Sequence, residues 1–216
     1  MDEILLIDKP TGISSFGVVA RVRRIYSQRL GRRVKVGHAG TLDPFASGLL
    51  VIMVGKATKK ATEFLKLDKA YEAELCLGAS STTGDPEGEI SQVSTYRPSR
   101  QEIEKVLSGR RGAQLQTPPA FSAIKVNGQR AYKLARQGKQ VNIEPRQINI
   151  YELEMIDYNY PQLRIKTKVS SGTYIRSLAE DIGRDLKTAA YLTALRRTVI
   201  GDFDIAEAHS LDDLEK

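Results

Sequence analysis

The sequence predicts an α+β fold, a mixed sheet with helices packed on it. Three observations carry that expectation. Residues 70–77 and 163–169 alternate apolar and polar, with Tyr71, Ala73, Leu75 and Leu77 on one face and Leu163, Ile165, Thr167 and Val169 on another. Apolar runs at 3–7 and 49–54 are too short for helices and read as buried strands. Between the strands, Val18, Val19, Val22, Ile25 and Tyr26 recur at helical spacing, as do Ile175, Leu178, Ala179, Ile182 and Leu186.

Each element follows from local signals. After the first strand, Asp8-Lys9-Pro10-Thr11-Gly12 is turn chemistry, and Ser14 or Ser15 can cap the first helix. Residues 56–67 read as a second helix, with Ala57, Ala61, Phe64 and Leu65 inward and lysines outward. Gly55-Lys56 is not a phosphate-binding loop, because the spacing from Gly48 is wrong and Ala57 stands where Ser or Thr is needed. Residues 80–92 read as a loop with Gly84-Asp85-Pro86-Glu87-Gly88 at its tip. Ser99-Arg100-Gln101-Glu102 fits a helix start. Asn127-Gly128 signals a hairpin, and a basic helix with Ala131, Tyr132, Leu134 and Arg136 follows. Strands are expected at 148–156 and 163–169, and a last strand and short helix at 201–216.

Composition narrows the function. The 216 residues are 41% hydrophobic, enough for a sizeable core. No apolar run approaches the ~18 residues of a membrane helix. The start, Met-Asp-Glu, does not fit a secretory signal. One cysteine, Cys76, and two histidines give neither a disulfide nor zinc-ligand spacing, so a reducing compartment and no metal are expected. The net charge of +7 is unevenly placed. Residues 1–70 hold 13 Lys+Arg against 6 Asp+Glu, and residues 100–148 hold 10 against 3, so each block carries +7. Two basic blocks with an acidic stretch between them suit a polyanion.

The chemistry concentrates at Val36-Gly37-His38-Ala39-Gly40-Thr41-Leu42-Asp43-Pro44, which runs into the apolar strand. Pro44 fixes its own φ and biases Asp43 towards an extended conformation. An acid on a glycine-rich loop beside a stiff strand reads as a displayed catalytic carboxylate. Together with Tyr71, Tyr174, Arg176 and the basic flanks, it suggests a site for a planar, uncharged ring on a phosphate backbone. Tyrosine rings stack on bases, and an arginine near a carboxylate keeps it ionised.

Six motifs, in order, carry a resemblance. They are Lys9-Pro10-x-Gly12-x-Ser14-Ser15, Gly37-His38-x-Gly40-Thr41-Leu42-Asp43-Pro44-x-Ala46-x-Gly48-Leu49-Leu50, Lys69-x-Tyr71, Pro118-Pro119-x-x-Ser122-Ala123-x-Lys125, Gly172-Thr173-Tyr174-Ile175-Arg176 and Leu195-Arg196-Arg197. With these the chain resembles the TruB family of tRNA pseudouridine synthases over essentially its whole length. The resemblance implies the pseudouridine synthase fold, with a mixed, mostly antiparallel central sheet, flanking helices and an inserted segment at about 119–147 that grips RNA. It implies one catalytic domain over 1–216 without a C-terminal RNA-binding domain of the PUA type.

The activity implied is isomerisation of a T-loop uridine of tRNA, position 55, to pseudouridine. The N1–C1′ bond breaks, the base rotates, and C5 bonds to C1′, without cofactor or metal. Asp43 matches the catalytic aspartate, Arg176 the arginine paired with it, and Tyr71 the ring that stacks on the flipped uracil. His38 matches a histidine at the site the base has left. Tyr174 and Leu195 match pocket walls, and Tyr174 could also handle a proton. From the basic blocks, Lys9, Arg23, Lys59, Lys125 and Arg136 are candidate contacts to the RNA backbone. The tRNA T arm is the expected partner of a cytoplasmic monomer that needs neither membrane nor protein partner. The alternative is a tRNA-binding folding chaperone, which has no need of Asp43 near phosphates. A hydrolytic glycosidase would want a second carboxylate.

Overall fold

A computed structural model describes residues 2–126 and 128–215. The strands, in chain order, are β1 (Glu3–Lys9), β2 (Val36–Ala39), β3 (Ser47–Val54), β4 (Lys69–Leu77), β5 (Ala79–Ser81), β6 (Ile90–Gln92), β7 (Gly112–Gln116), β8 (Lys125–Val126), β9 (Gln129–Arg130), β10 (Arg146–Asn159), β11 (Gln162–Val169), β12 (Ala190–Ile200) and β13 (Phe203–Asp204). The helices are α1 (Ser15–Arg29), α2 (Ala61–Leu65), α3 (Arg100–Gly109), α4 (Ala131–Arg136) and α5 (Ile175–Asp185). The chain divides into two compact units, residues 1–72 with 194–216, and residues 73–193.

In the first unit the strand order is β1-β3-β12, with β2 also on β3 and β13 on β12. β1 and β2 run antiparallel to β3, whereas β12 runs parallel to it. β3 is nearly all buried because both its faces are covered. On one, Leu50, Ile52 and Val54 pack with Val18, Val19, Val22 and Ile25 of α1. On the other, Leu49, Val51 and Met53 pack with Phe64 and Ile200. α1 is capped by Ser14, whose side chain accepts from the Gly17 N–H at 3.0 Å. Where β3 meets β12, Gly48 has φ +104° and a Cβ there would lie 2.3 Å from the Arg197 carbonyl oxygen. Only glycine allows that approach.

In the second unit the order is β4-β11-β10-β7, with β4 entering it at Ala73. β10 pairs antiparallel with β11 and with β7 and is bulged twice. Antiparallel pairs therefore dominate a mixed sheet, as the family resemblance implies. α3 begins with the full capping box, Ser99 with Glu102. α5 buries Ile175, Leu178, Ala179 and Ile182.

Three expectations change. Residues 80–92, read as a loop, begin and end in the antiparallel pair β5 and β6. Residues 56–67 are not one helix: a 3₁₀ turn at Gly55–Lys60 leads into the five-residue α2. Neither piece has a side-chain cap, and Gly55 (φ +66°) starts the turn outside helical geometry. At 201–216 a strand and a short helix are expected, and the described residues hold β13 and two 3₁₀ turns. Asn127 of the expected hairpin lies outside the described residues; β8 and β9 pair across it, and Gly128 takes φ +80°.

Candidate active site

The loop that carries Asp43 is fixed on both sides of it. Ser15, fully buried in the first turn of α1, donates to the Leu42 carbonyl and accepts from the Leu42 N–H, each at 2.8 Å. The Pro44 carbonyl accepts from the Gly12 N–H at 2.8 Å, and Ala46 N–H donates to the Asp43 carbonyl at 3.1 Å. Arg197, buried on β12, donates to the carbonyls of Gly40 at 3.0 Å and Leu49 at 2.8 Å. The loop of Asp43 is thus set by the turn after β1, by α1 and by β12 together, and the residue itself is half-buried.

Lys9 corrects an expectation. It is 0% exposed, so it is not a surface contact to RNA. Its ammonium donates to the carbonyls of Ile13 at 2.7 Å, Pro10 at 2.9 Å and Pro44 at 3.4 Å. Burial pulls its pKa down to about 8, the Asp43 carboxylate pulls it back up, and Arg197 pushes it further down. Lys9 and Asp43 therefore attract each other. Lys69 is a second buried cation, donating to the carbonyls of Leu65 at 2.8 Å, Phe64 at 3.4 Å and also Leu67, at the end of α2. A cation suits that end of a helix. Burial, then Arg197, lowers its pKa to about 8 against the opposing pull of Asp68.

Lys69 anchors the start of β4, and Tyr71 follows two residues later on the same face, 8% exposed. Leu195 is buried on β12, on the face that also carries Arg197. His38 lies in β2 opposite Ile52. Its Nδ1 is buried without a hydrogen-bond partner among the described residues. Burial, then the Arg197 charge, pushes its pKa below the ordinary histidine value, which favours the neutral ring.

In the second unit, Arg176 sits in the first turn of α5, 5% exposed. Its Nη1 donates to the Asp85 carboxylate and the Thr83 carbonyl, each at 3.0 Å, and its Nη2 to the Phe121 carbonyl at 2.7 Å. Asp85 is the tip of the loop at 80–92, yet it is 2% exposed. Its carboxylate also accepts from Thr83 Oγ1 at 2.5 Å and the Glu87 N–H at 3.0 Å. A turn reading of Gly-Asp-Pro misses this partner, because turn chemistry and a buried charge share one sequence signal. Tyr174, half-buried at the cap of α5, is held by Gln116: the side-chain amide donates to its carbonyl at 3.0 Å and accepts from its N–H at 2.8 Å. Arg146 lies over the Tyr174 ring, 5.0 Å from its centroid.

Of the backbone candidates, Lys59, Lys125 and Arg136 are exposed, and Arg136 lies over the Tyr132 ring. Lys59 lines an open groove of about 430 Å³ with Arg32, Arg33, Lys35 and Lys56. Arg23 is half-buried on α1. Its neighbours Arg21 and Arg29 are engaged by the acidic end of the chain, through Asp212 at 2.8 Å and the Leu214 carbonyl at 2.6 Å. Among the described residues, no cluster of His, Cys, Asp and Glu could hold a metal ion, and no helix is long and apolar enough to cross a membrane.

The chain is similar to known proteins over most of its length. Residues 23–175 match the family described as TruB family pseudouridylate synthase (N terminal domain), and residues 176–216 match the tRNA pseudouridylate synthase B C-terminal domain. The chain is 46% identical over 213 residues to a protein of Nitrosococcus oceani named tRNA pseudouridine synthase B, covering 98% of this chain and 68% of that one. It is 47% identical over 212 residues to the protein of that name in Desulfotalea psychrophila, covering 95% and 84%. The fold is similar to a chain in the crystal structure of a Cbf5-Nop10-Gar1 complex, with TM-score 0.75 and 29% identity, covering 97% of this chain and 52% of that one. With a buried-cation scaffold under one loop carboxylate, and family matches from residue 23 to the last residue, the chain belongs to the TruB family of pseudouridylate synthases.

Proposed function

We infer that this chain is a tRNA pseudouridine synthase, an isomerase that converts uridine in tRNA to pseudouridine. The observation that carries the inference is Asp43, clamped on both sides by Ser15, Gly12 and Arg197 at the motif position of the family's reactive acid. The relatives named tRNA pseudouridine synthase B support the choice of tRNA.

The finer assignments follow from the motifs. The target is the T-loop uridine at position 55, in the T arm. Asp43 reacts as a carboxylate, whether at C1′, at C6 or on a ribose proton; each route needs its charged form. Tyr71 stacks on the flipped uracil, Tyr174 and Leu195 stand at the motif positions of pocket walls, and His38 meets the RNA where the base has left its stack. His38 suits this role as a neutral ring, since a protonated one would sit beside Arg197. Arg176, held by Asp85, stands at the motif position of the arginine that supports the family's reactive acid. Flipping the uridine costs a few kcal/mol, which stacking and phosphate contacts offset. Arg23, Lys59, Lys125 and Arg136 are the phosphate contacts, with the segment at 119–147 closing over the RNA. Residues 1–216 act as one catalytic domain, a cytoplasmic monomer without cofactor.

The test is to incubate the protein with a T-arm hairpin and map pseudouridine by chemical labelling and primer extension. Conversion of the T-loop uridine supports the reading. Tight binding without conversion would leave a tRNA-binding chaperone in its place.

A further inference from the structure

Phe16 contributes little to the fold. α1 is capped by Ser14, Ile13 before the cap packs on the core, and Val18, Val19 and Val22 fill the buried face. Phe16, the second residue of the helix, is 66% exposed. The Arg23 guanidinium, two turns on, lies over its ring, 5.9 Å from the centroid. A lone exposed apolar residue is ordinary, but this one has a particular place. The residue before it, Ser15, holds Leu42, and Leu42 precedes Asp43. The backbone of Phe16 is thus one residue from the contact that holds the loop of the reactive acid.

We propose that Phe16 and Arg23 form a stacking platform for an unpaired nucleotide of the RNA substrate, beside the Asp43 loop. The proposal rests on the tRNA reading above. A base offers a flat π-face to the phenyl ring, and the guanidinium adds a cation–π contact and a donor for the adjoining phosphate. A protein partner fits less well. Among the described residues, the other exposed large apolar side chain along this helix is Leu30, fourteen residues on at the opposite end, so the helix itself presents no apolar patch.

The chain has no tryptophan, so Phe16→Trp introduces a single indole reporter. In an Asp43→Asn background, to prevent turnover, titration with a T-arm hairpin should quench its emission along the same curve as a gel-shift measurement. Phe16→Ala and Phe16→Leu should both bind the hairpin roughly five-fold or more weakly, the low end of base stacking on an aromatic ring, with unchanged melting temperature and unchanged salt slope. Arg23→Gln should lower the slope of log affinity against log salt by about 1. Phe16→Leu binding as well as Phe16 would mean apolar packing, and an unquenched indole with native affinity in Phe16→Ala would mean no contact; either overturns the platform. If the unaltered protein neither binds nor modifies the hairpin, the tRNA reading itself fails. If it does both and the Phe16 variants match it, only the platform fails.

Discussion

Ser15 and Leu42 are joined by one hydroxyl that both donates to and accepts from the same residue's backbone, each at 2.8 Å. The contact spans 27 residues and ties the first turn of α1 to the loop of Asp43. Ser15→Ala leaves a buried N–H and carbonyl unpaired, at about 1–3 kcal/mol each before relaxation. We expect a lower melting temperature and a single-turnover rate reduced more than RNA affinity, because the loop loses its setting while the surface is unchanged. Equal rates in native and variant protein would show that the loop is held without this contact.

Asp43→Asn keeps the shape of the side chain and removes its charge. Turnover should vanish, while melting temperature and hairpin affinity stay near native. Persistent pseudouridine formation by the purified variant would falsify the assignment.

The fold was legible where periodicity was strong. Strict alternation gave β4 and β11, and the helical spacing of Val18 to Tyr26 gave α1, with its cap left between Ser14 and Ser15. The 3₁₀ turn at Gly55 was not legible, because apolar spacing over one turn does not separate a 3₁₀ turn from an α-helix. For the site, the motifs named Asp43, Tyr71 and Arg176 but not what holds them. Lys9 reads as a surface cation, since lysine is seldom fully buried. Its burial rests on three carbonyls supplied by the fold. Gln116 carries no local signal for its clamp on Tyr174, 58 residues away. Arg197 was visible in Leu195-Arg196-Arg197, yet its hold on Gly40 exists only once β12 lies beside β3.

Tyr71 separates ring from hydroxyl. It is buried on β4, so part of its value is packing. Tyr71→Phe keeps the ring and should bind RNA normally. Tyr71→Leu keeps apolar bulk but loses the flat face, and stacking of roughly 1–3 kcal/mol corresponds to about five- to 150-fold in rate. Thermal melts and single-turnover rates on the three proteins decide the matter. Early melting of Tyr71→Leu, with a native rate for the folded fraction, would make Tyr71 a core residue only.

Lys9 links pH to both rate and stability, in opposite directions. Its pKa is near 8 in the folded protein, first because of burial, with Asp43 opposing and Arg197 adding to the drop. Above that pH the amine is neutral and has two N–H groups for three carbonyls. It also no longer offers a positive charge to Asp43. The single-turnover rate should therefore fall as pH rises through about 8. For stability the sign reverses. Folding disfavours the charged form, so the unfolded chain binds more protons between about 8 and its own value of 10.5. The penalty is full below about 8 and is relieved as pH rises through that window. Lys69, also near 8, contributes in the same direction. Lys9→Met should show a lower plateau, no fall in rate near pH 8, and a smaller but still positive gain in stability, since Lys69 remains. The same RNA serves both proteins, so its own titration cancels in the comparison. A rate that falls equally in native protein and Lys9→Met would remove Lys9 as the source of the alkaline limb.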